Sequence, residues 1–309
     1  MSFVEHSAVV LVLAFVMGGA LYWSWAGLAV LIWGSWSQVA TYVVLTAVLA
    51  LHPIPDISDA VYSSWIVQQL YKYFTYRFVY SGNARVLAQT QAPFIGAGVP
   101  HGAMPFSNLL SVPAVNSFSP SQTGGEFVGA PASIVFRTPF LRYFTMFKSV
   151  TVSRESLTKQ LELGNTVGLV GDGIAGIFQC DHNDEVVALR TRKGLAKLAL
   201  RTGRPVLPCY SLGNTEAFSV WFDRWGVMER LSRKLQASVF FYWGRYGLPV
   251  PYRVNITMIL GDMVLVDQVE NPTPAQVDAV HERILASIEN AFNRHKAALG
   301  WGHKTMRFV

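Results

Sequence analysis

Between Glu5 and Asp56 the chain carries no charged side chain, with His6 and His52 counted as neutral. These fifty residues, 6–55, exceed twice the roughly 20 apolar residues that one membrane-spanning helix needs. Within them AVVLVLAFVMGGALYW (8–23) and AGLAVLIW (26–33) read as continuous apolar helix, and VATYVVLTAVLAL (39–51) resumes after GSWSQ (34–38). The pattern predicts a hairpin that enters a membrane, turns at either Ser24–Gly27 or Gly34–Gln38, and returns. Trp23, Trp25, Trp33 and Trp36 suit interface depth. A secretory signal would open on Lys or Arg; this chain opens Met-Ser-Phe-Val-Glu, so the stretch reads as an anchor. All 25 Lys and Arg follow residue 71. The positive-inside rule then puts residues 52–309 on the cytosolic side, where the sequon Asn255-Ile256-Thr257 stays unglycosylated.

The expected division is a membrane hairpin over 1–51 and a catalytic body over 52–309. Only 14% of the chain is charged, against about a quarter in soluble domains. That excludes a disordered chain and argues against an ordinary cytosolic enzyme. The net charge of +6 suits an anionic membrane surface or a phosphorylated ligand, and is too sparse to favour nucleic acid. Two cysteines, Cys180 and Cys209, make no disulfide framework.

The body alternates short apolar runs with amphipathic stretches. SIVF (133–136), SVTV (149–152), TVGLVG (166–171), PVLPCYSLG (205–213) and VNITMIL (254–260) read as strands. Thr191–Thr202 reads as an amphipathic helix. Thr273 and Pro274 open a last helix, with Val277, Val280, Ile284, Leu285, Ile288 and Phe292 at helical spacing. This predicts an α/β protein: a central, mostly parallel sheet flanked by helices, preceded by the transmembrane hairpin. In such sheets sites form at the carboxyl ends of strands.

Three stretches carry chemistry. His101, between Pro100 and Gly102 after a short apolar strand, offers an imidazole able to take a proton near neutral pH. VGDGIAGIF (170–178) could bend backbone N–H groups around an anion, although it is neither a phosphate loop nor a dinucleotide fingerprint. Val186–Thr215 holds Arg190, Arg192, Lys193, Lys197, Arg201 and Arg204 and no acid. That basicity suits phosphate or a lipid headgroup, with a solvated helix face as the plainer alternative. Cys180 and His182 lack a second ligand pair, so no metal is expected. No Gly-x-Ser-x-Gly elbow is present.

In order along the chain, the hairpin, KYFTYRFV (72–79), Val99-Pro100-His101-Gly102, Arg137-Thr138-Pro139 with SRES (153–156), RKGLAKLALRTGRPVLPCYSLGNTEAF (192–218), GLPVPYR (247–253) and the ending 271–300 resemble the type-2 diacylglycerol acyltransferase family of the glycerolipid acyltransferase superfamily. The resemblance implies acyl transfer from acyl-CoA to diacylglycerol, giving triacylglycerol, with His101 matching the catalytic histidine. On that premise Gly102, Asp172, Gly173 and Glu216 are candidates for stabilising the oxyanion or supporting the histidine, and Arg192, Lys193, Lys197, Arg201 and Arg204 for holding the CoA phosphates. Acyl-CoA is then a substrate and no cofactor is expected. The expected partners are acyl-CoA, diacylglycerol and membrane lipids, not nucleic acid, with a homo-oligomer left open. The family implies the endoplasmic reticulum membrane, the body on its cytosolic face, with transfer to lipid droplets.

The chain departs from the family pattern in two places. Val99 and Phe106 stand where relatives carry a histidine or glutamate and, in the wider superfamily, an acid. Gly176 stands where the family block Gly-Gly-Ile-Ala-Glu-Ile-Phe has its glutamate, and Asp172 where it has a glycine. Monoacylglycerol or a fatty alcohol as acceptor, and a weakened lipid-binding member, are the competing readings.

Overall fold

The computed structural model describes residues 1–54, 59–90, 93–118, 125–178, 184–221, 223, 225–235 and 239–309. Its strands are β1 (Arg77–Tyr80), β2 (Ile95–Val99), β3 (Phe127–Gly129), β4 (Thr166–Val170), β5 (Glu185–Val187), β6 (Val206–Leu212), β7 (Ser219–Val220), β8 (Tyr242–Trp243), β9 (Thr257–Leu260) and β10 (Met306–Phe308). Six of them form one sheet in the order β1-β9-β6-β2-β4-β3. Every pair in it is parallel except β6 with β9. Two small ladders, β10 with β5 and β7 with β8, sit outside it.

The central strands β2 and β6 are buried at every residue, as in a sheet covered on both faces. Side chains alternate across a strand. On β2, Ile95, Ala97 and Val99 enter a core shared with the helices Gly194–Thr202 and Pro274–His295. Gly96 and Gly98 face the other way, toward the helix Phe106–Phe118. A second core on that side joins Phe106 and Leu110 to Tyr73, Phe74, Phe218 and Ile256.

The last helix begins where the sequence places it. Thr273 and Gln276 close a capping box and Pro274 occupies the first turn. The predicted apolar stripe from Val277 to Phe292 is buried. The basic helix starts at Gly194, three residues after the predicted start, with no side-chain cap at Lys193.

Two predicted strands are not strands. Ser133–Arg137 is a 3-10 helix, and Ser149 reaches the sheet only through a single bridge to Gly129. A four-residue apolar run has no period that separates strand from helical turn. The edge positions go instead to Arg77–Tyr80, which carries a charge and is partly exposed, and to Phe127–Gly129, which is buried but only three residues long.

The N-terminal segment is a helical hairpin. Its first leg runs from Phe3–Leu13 through a π-turn, Ala14–Gly18, into Gly19–Trp33; Trp36–Leu51 returns. Of the two turn positions left open by the sequence, the chain reverses at Gly34 and Ser35, where Ser35 and Gln38 form a capping box. Ser24–Gly27 lies within the first leg, and the Ser24 hydroxyl bonds the Ala20 carbonyl at 2.9 Å. Trp23 Nε1 donates to Thr46 Oγ1 at 3.0 Å and the Tyr42 hydroxyl to the Trp23 carbonyl at 2.9 Å, tying the legs together. Val9, Leu13 and Met17 are buried in the second core of the body. Beyond Gly19 the legs are mostly exposed and apolar, with Trp33 and Trp36 outermost. At the base, buried Arg142 donates to the Leu49 carbonyl at 2.9 Å, a cation placed at a helix C-terminus.

Candidate active site

Parallel strands β6, β2 and β4 are neighbours, so their carboxyl ends meet at one edge of the sheet. β2 delivers His101, β4 delivers Gly171, Asp172 and Gly173, and β6 delivers Gly213 and Asn214. The helix Gly173–Phe178 leaves from this edge.

The His101 ring is set by its neighbour: Nδ1 lies 2.8 Å from the Gly102 carbonyl. A carbonyl only accepts, so in the neutral ring Nδ1 carries the proton and Nε2 keeps a lone pair. Burial pulls the imidazole pKa below its usual value, partly offset by the Gly102 bond. The ring is therefore neutral at physiological pH, the form a proton acceptor needs. Among the described residues its hydrogen-bond partner is a carbonyl and not a carboxylate.

Asp172 holds the main chain of His101 rather than its ring. Its Oδ2 accepts the His101 N–H at 3.0 Å, and the side chain is fully buried. Its Oδ1 has no hydrogen-bond partner among the described residues. Burial raises the carboxyl pKa to about 7, against the pull of the N–H groups of His101, Asp172 and Gly173 and of the Arg192 charge. The same carboxylate fills the space beside Gly176: a Cβ added there would run into it.

Asn214, which sequence reasoning passed over, organises the loop. Fully buried, it donates through Nδ2 to the carbonyls of Pro100, His101 and Met104 at 3.3, 2.8 and 3.3 Å, while its Oδ1 accepts the Ser107 N–H at 3.1 Å. Gly102 has φ +60°, and a Cβ there would lie 3.1 Å from the Asn214 side chain and carbonyl. A side chain is therefore unwelcome at 102 on both counts.

Glu216 belongs to another cluster. Buried Lys304 bonds Glu216 at 3.3 Å and Glu185 at 3.2 Å, and Glu185 accepts from the Tyr210 hydroxyl at 2.6 Å. This network fastens the loop after β6 to the C-terminal segment. The basic set does not converge either. Arg192 comes over Gly173, its Nη1 3.0 Å from where a Cβ would stand. Lys193 pairs with Asp278 at 2.7 Å on the last helix. Lys197 and Arg201 are exposed along the helix and Arg204 lies past its end. Cys180 and His182 lie outside the described residues.

Under the glycine face of β2 there is an apolar cavity of about 200 Å³. Gly96 faces Gly168 across the β2–β4 ladder, and Gly98, Asn108, Phe127 and Met258 line the rest. A Cβ at 168 would lie 2.5 Å from the Phe127 ring, and one at 98 would overlap the Asn108 amide. The period-two glycines of Phe94-Ile95-Gly96-Ala97-Gly98 were the available sequence signal; without the partner strand they read merely as a weak strand.

Residues 30–308 match the family model for diacylglycerol acyltransferases. Diacylglycerol O-acyltransferase 2 of Xenopus tropicalis is 29% identical over 224 residues, 65% of this chain and 60% of that protein. The human protein of the same name is 31% identical over 181 residues, 53% and 46% of the two chains. Human acyl-CoA wax alcohol acyltransferase 1 is 28% identical over 216 residues, 65% and 66%. The chain thus spans about half to two-thirds of the length of these relatives.

Proposed function

The chain belongs to the diacylglycerol acyltransferase family, and on that premise we propose that it transfers a fatty acyl group from acyl-CoA to the free hydroxyl of diacylglycerol, with His101 as general base. The observation that carries this reading is the His101 ring itself, held through Nδ1 by the Gly102 carbonyl at the carboxyl edge of the sheet, which leaves Nε2 as the nitrogen with the lone pair. Nε2 takes the hydroxyl proton as the oxygen attacks the thioester carbonyl. The C–O bond forms, the C–S bond breaks, and the departing CoA thiolate recovers the proton from the imidazolium. Triacylglycerol and CoA result, with no covalent enzyme intermediate.

Arg192, beside the glycine turn, is the cation suited to the developing oxyanion. Lys197, Arg201 and Arg204 suit the CoA phosphates, which the pantetheine arm holds away from the sulfur. The helix Gly194–Thr202 has 9 residues, about 13 Å of length, along which Lys197 and Arg201 are spaced. The apolar cavity beneath Gly98 suits a fatty acyl chain.

The hairpin would hold this site at its lipid substrates. Beyond the body its legs have 15 and 16 residues, about 22 to 24 Å at 1.5 Å per residue, short of the roughly 30 Å hydrocarbon core. We infer insertion from one face, the cytosolic face of the endoplasmic reticulum, at a depth that a lipid-droplet monolayer would also accept.

Labelled acyl-CoA and diacylglycerol, supplied to membranes from cells lacking their own activity, test the reading. The wild type should form triacylglycerol and His101→Ala should lose about 10²–10⁴-fold, the usual contribution of a general base. Full activity in His101→Ala overturns the base. A fatty alcohol is the second acceptor to try, because of the similarity to a wax alcohol acyltransferase. Wax ester without triacylglycerol would change the acceptor and keep the mechanism. Lipid binding without turnover of any acceptor would favour a non-catalytic member.

A further inference from the structure

We propose that the described residues of the segment 221–248, namely 221, 223, 225–235 and 239–248, form a second membrane contact, a plate of exposed aromatic and basic side chains that lies on an anionic bilayer surface beside the hairpin. The segment is an excursion closed at its base by the β7–β8 ladder, Ser219 opposite Trp243 and Val220 opposite Tyr242. Its outer face is apolar where a water-facing surface would be polar. Trp225 and Tyr246 are 77% and 79% exposed, and Trp221 and Phe241 are more than half exposed.

The helix within it, Val227–Leu235, is amphipathic in the sense a membrane surface requires. Ser232 is its buried side, exchanging hydrogen bonds with Val239 at 2.8 and 3.2 Å. Val227 and Leu231, one turn apart, are exposed. Arg230, Arg233 and Lys234 flank them. A basic amphipathic helix with aromatic neighbours lies in the interface plane of a bilayer, and Trp and Tyr favour headgroup depth.

Charge and continuity select the occupant. The described part of the segment has four basic residues, Arg230, Arg233, Lys234 and Arg245, against Asp223 and Glu229. Both acids are engaged internally. Asp223 accepts the N–H groups of Val227 and Glu229 at the start of the helix, and Glu229 pairs with Arg233 at 2.7 Å. Among the described residues no acid pairs with Arg230 or Lys234. Anionic headgroups complement that surplus. The face also continues the hairpin: the exposed ring of Phe241 packs on exposed Trp25, centroids 6.3 Å apart, and the Tyr242 hydroxyl donates to the Met17 carbonyl at 3.2 Å. A bilayer that receives the hairpin therefore meets this plate; the proposal rests to that extent on the hairpin being a membrane element.

An environment-sensitive fluorescent amino acid, introduced genetically one site at a time, tests both readings in the full chain. The sites are Trp225 in the plate, Val44 in the hairpin and Glu289 on the exposed side of the last helix, beyond the other face of the sheet. The protein is reconstituted into phosphatidylcholine vesicles with or without phosphatidylserine, and quenching by nitroxide-labelled lipid is read. Quenching at 225 and 44 but not at 289, stronger at 225 with phosphatidylserine, is expected. Quenching at 44 with 225 behaving like 289 overturns the second contact and leaves the hairpin reading intact. Quenching at 225 without 44 supports the contact and overturns the hairpin. Equal quenching at 225 with and without phosphatidylserine overturns the anionic preference.

Discussion

Strand β2 has two faces, and they are built to opposite ends. On one, Ile95, Ala97 and Val99 are packed without exposure beneath Leu195, Ala199 and Ile284 of two covering helices. On the other, Gly96 and Gly98, opposite Gly168, leave a cavity of about 200 Å³ under the helix Phe106–Phe118. Adjacent residues of one strand thus supply cohesion in one direction and space in the other. Close packing stabilises a fold but admits no substrate; the omitted side chains forgo some stability and keep room beneath β2.

That contrast can be broken from the packed side first. Ile284→Ala removes a fully buried side chain and should cost about 2–5 kcal/mol, read as a shift in chemical denaturation. Acyl-chain preference should be unchanged. A changed preference with unchanged stability would reverse the roles assigned to the two faces.

The next effect falls at the edge where the faces meet. Gly176→Glu drives a side chain into the Asp172 carboxylate, and overpacking of this kind costs about 1–3 kcal/mol. Adding Asp172→Gly in the same chain should recover most of that loss, a coupling that a double-mutant cycle on stability and acyl transfer measures. Additive effects would show that the two positions do not share one space. The weakened-member reading rested on the missing glutamate at 176; in the structure a buried carboxylate already occupies that space from position 172.

Gly96→Ala is milder. Its Cβ would meet the Phe127 ring at 3.6 Å, an ordinary contact, so stability should move by less than about 1 kcal/mol. The cavity narrows, and competition between long and short acyl-CoA should shift toward the shorter chain. Unaltered selectivity would remove the cavity from the acyl-binding role.

The smallest effect is a pH slope. Asp172 titrates near 7 in the fold and near 3.9 in an unfolded chain. The folded form binds the extra proton, so this group's contribution to stability falls as pH rises from about 4 to 7 and is level above that. Asp172→Asn should flatten the stability profile across that window and leave it unaltered below. An identical slope in both proteins would mean that Asp172 is not held in its neutral form by burial.

Much of the architecture was legible in the chain because its signals are local. Fifty uncharged residues specify an apolar hairpin by composition alone, and Thr273, Pro274 and the stripe through Phe292 specify a helix within a few turns. His101 could be singled out because proline, histidine and glycine follow a buried run directly. The failures were equally local in origin. SIVF and SVTV are too short for a period to form, so their apolar content fixed neither geometry nor burial: Ile134 and Val152 are exposed.

What the sequence by itself determined is whatever depends on neighbours a few positions apart: the hairpin, the buried strands ending at Val99, Val170 and Leu212, and the capped last helix. Only the tertiary structure decided who meets whom. Asp172 reaches the His101 backbone across 71 positions and Asn214 across 113, and Glu216 goes to Lys304 instead. The reason is physical. Hydrogen-bond partners at a sheet edge follow from strand order, and strand order is set by long-range packing that no local window of residues contains. The cavity follows the same logic: a glycine defines empty space only once the strand, the helix and the ring around it are in place.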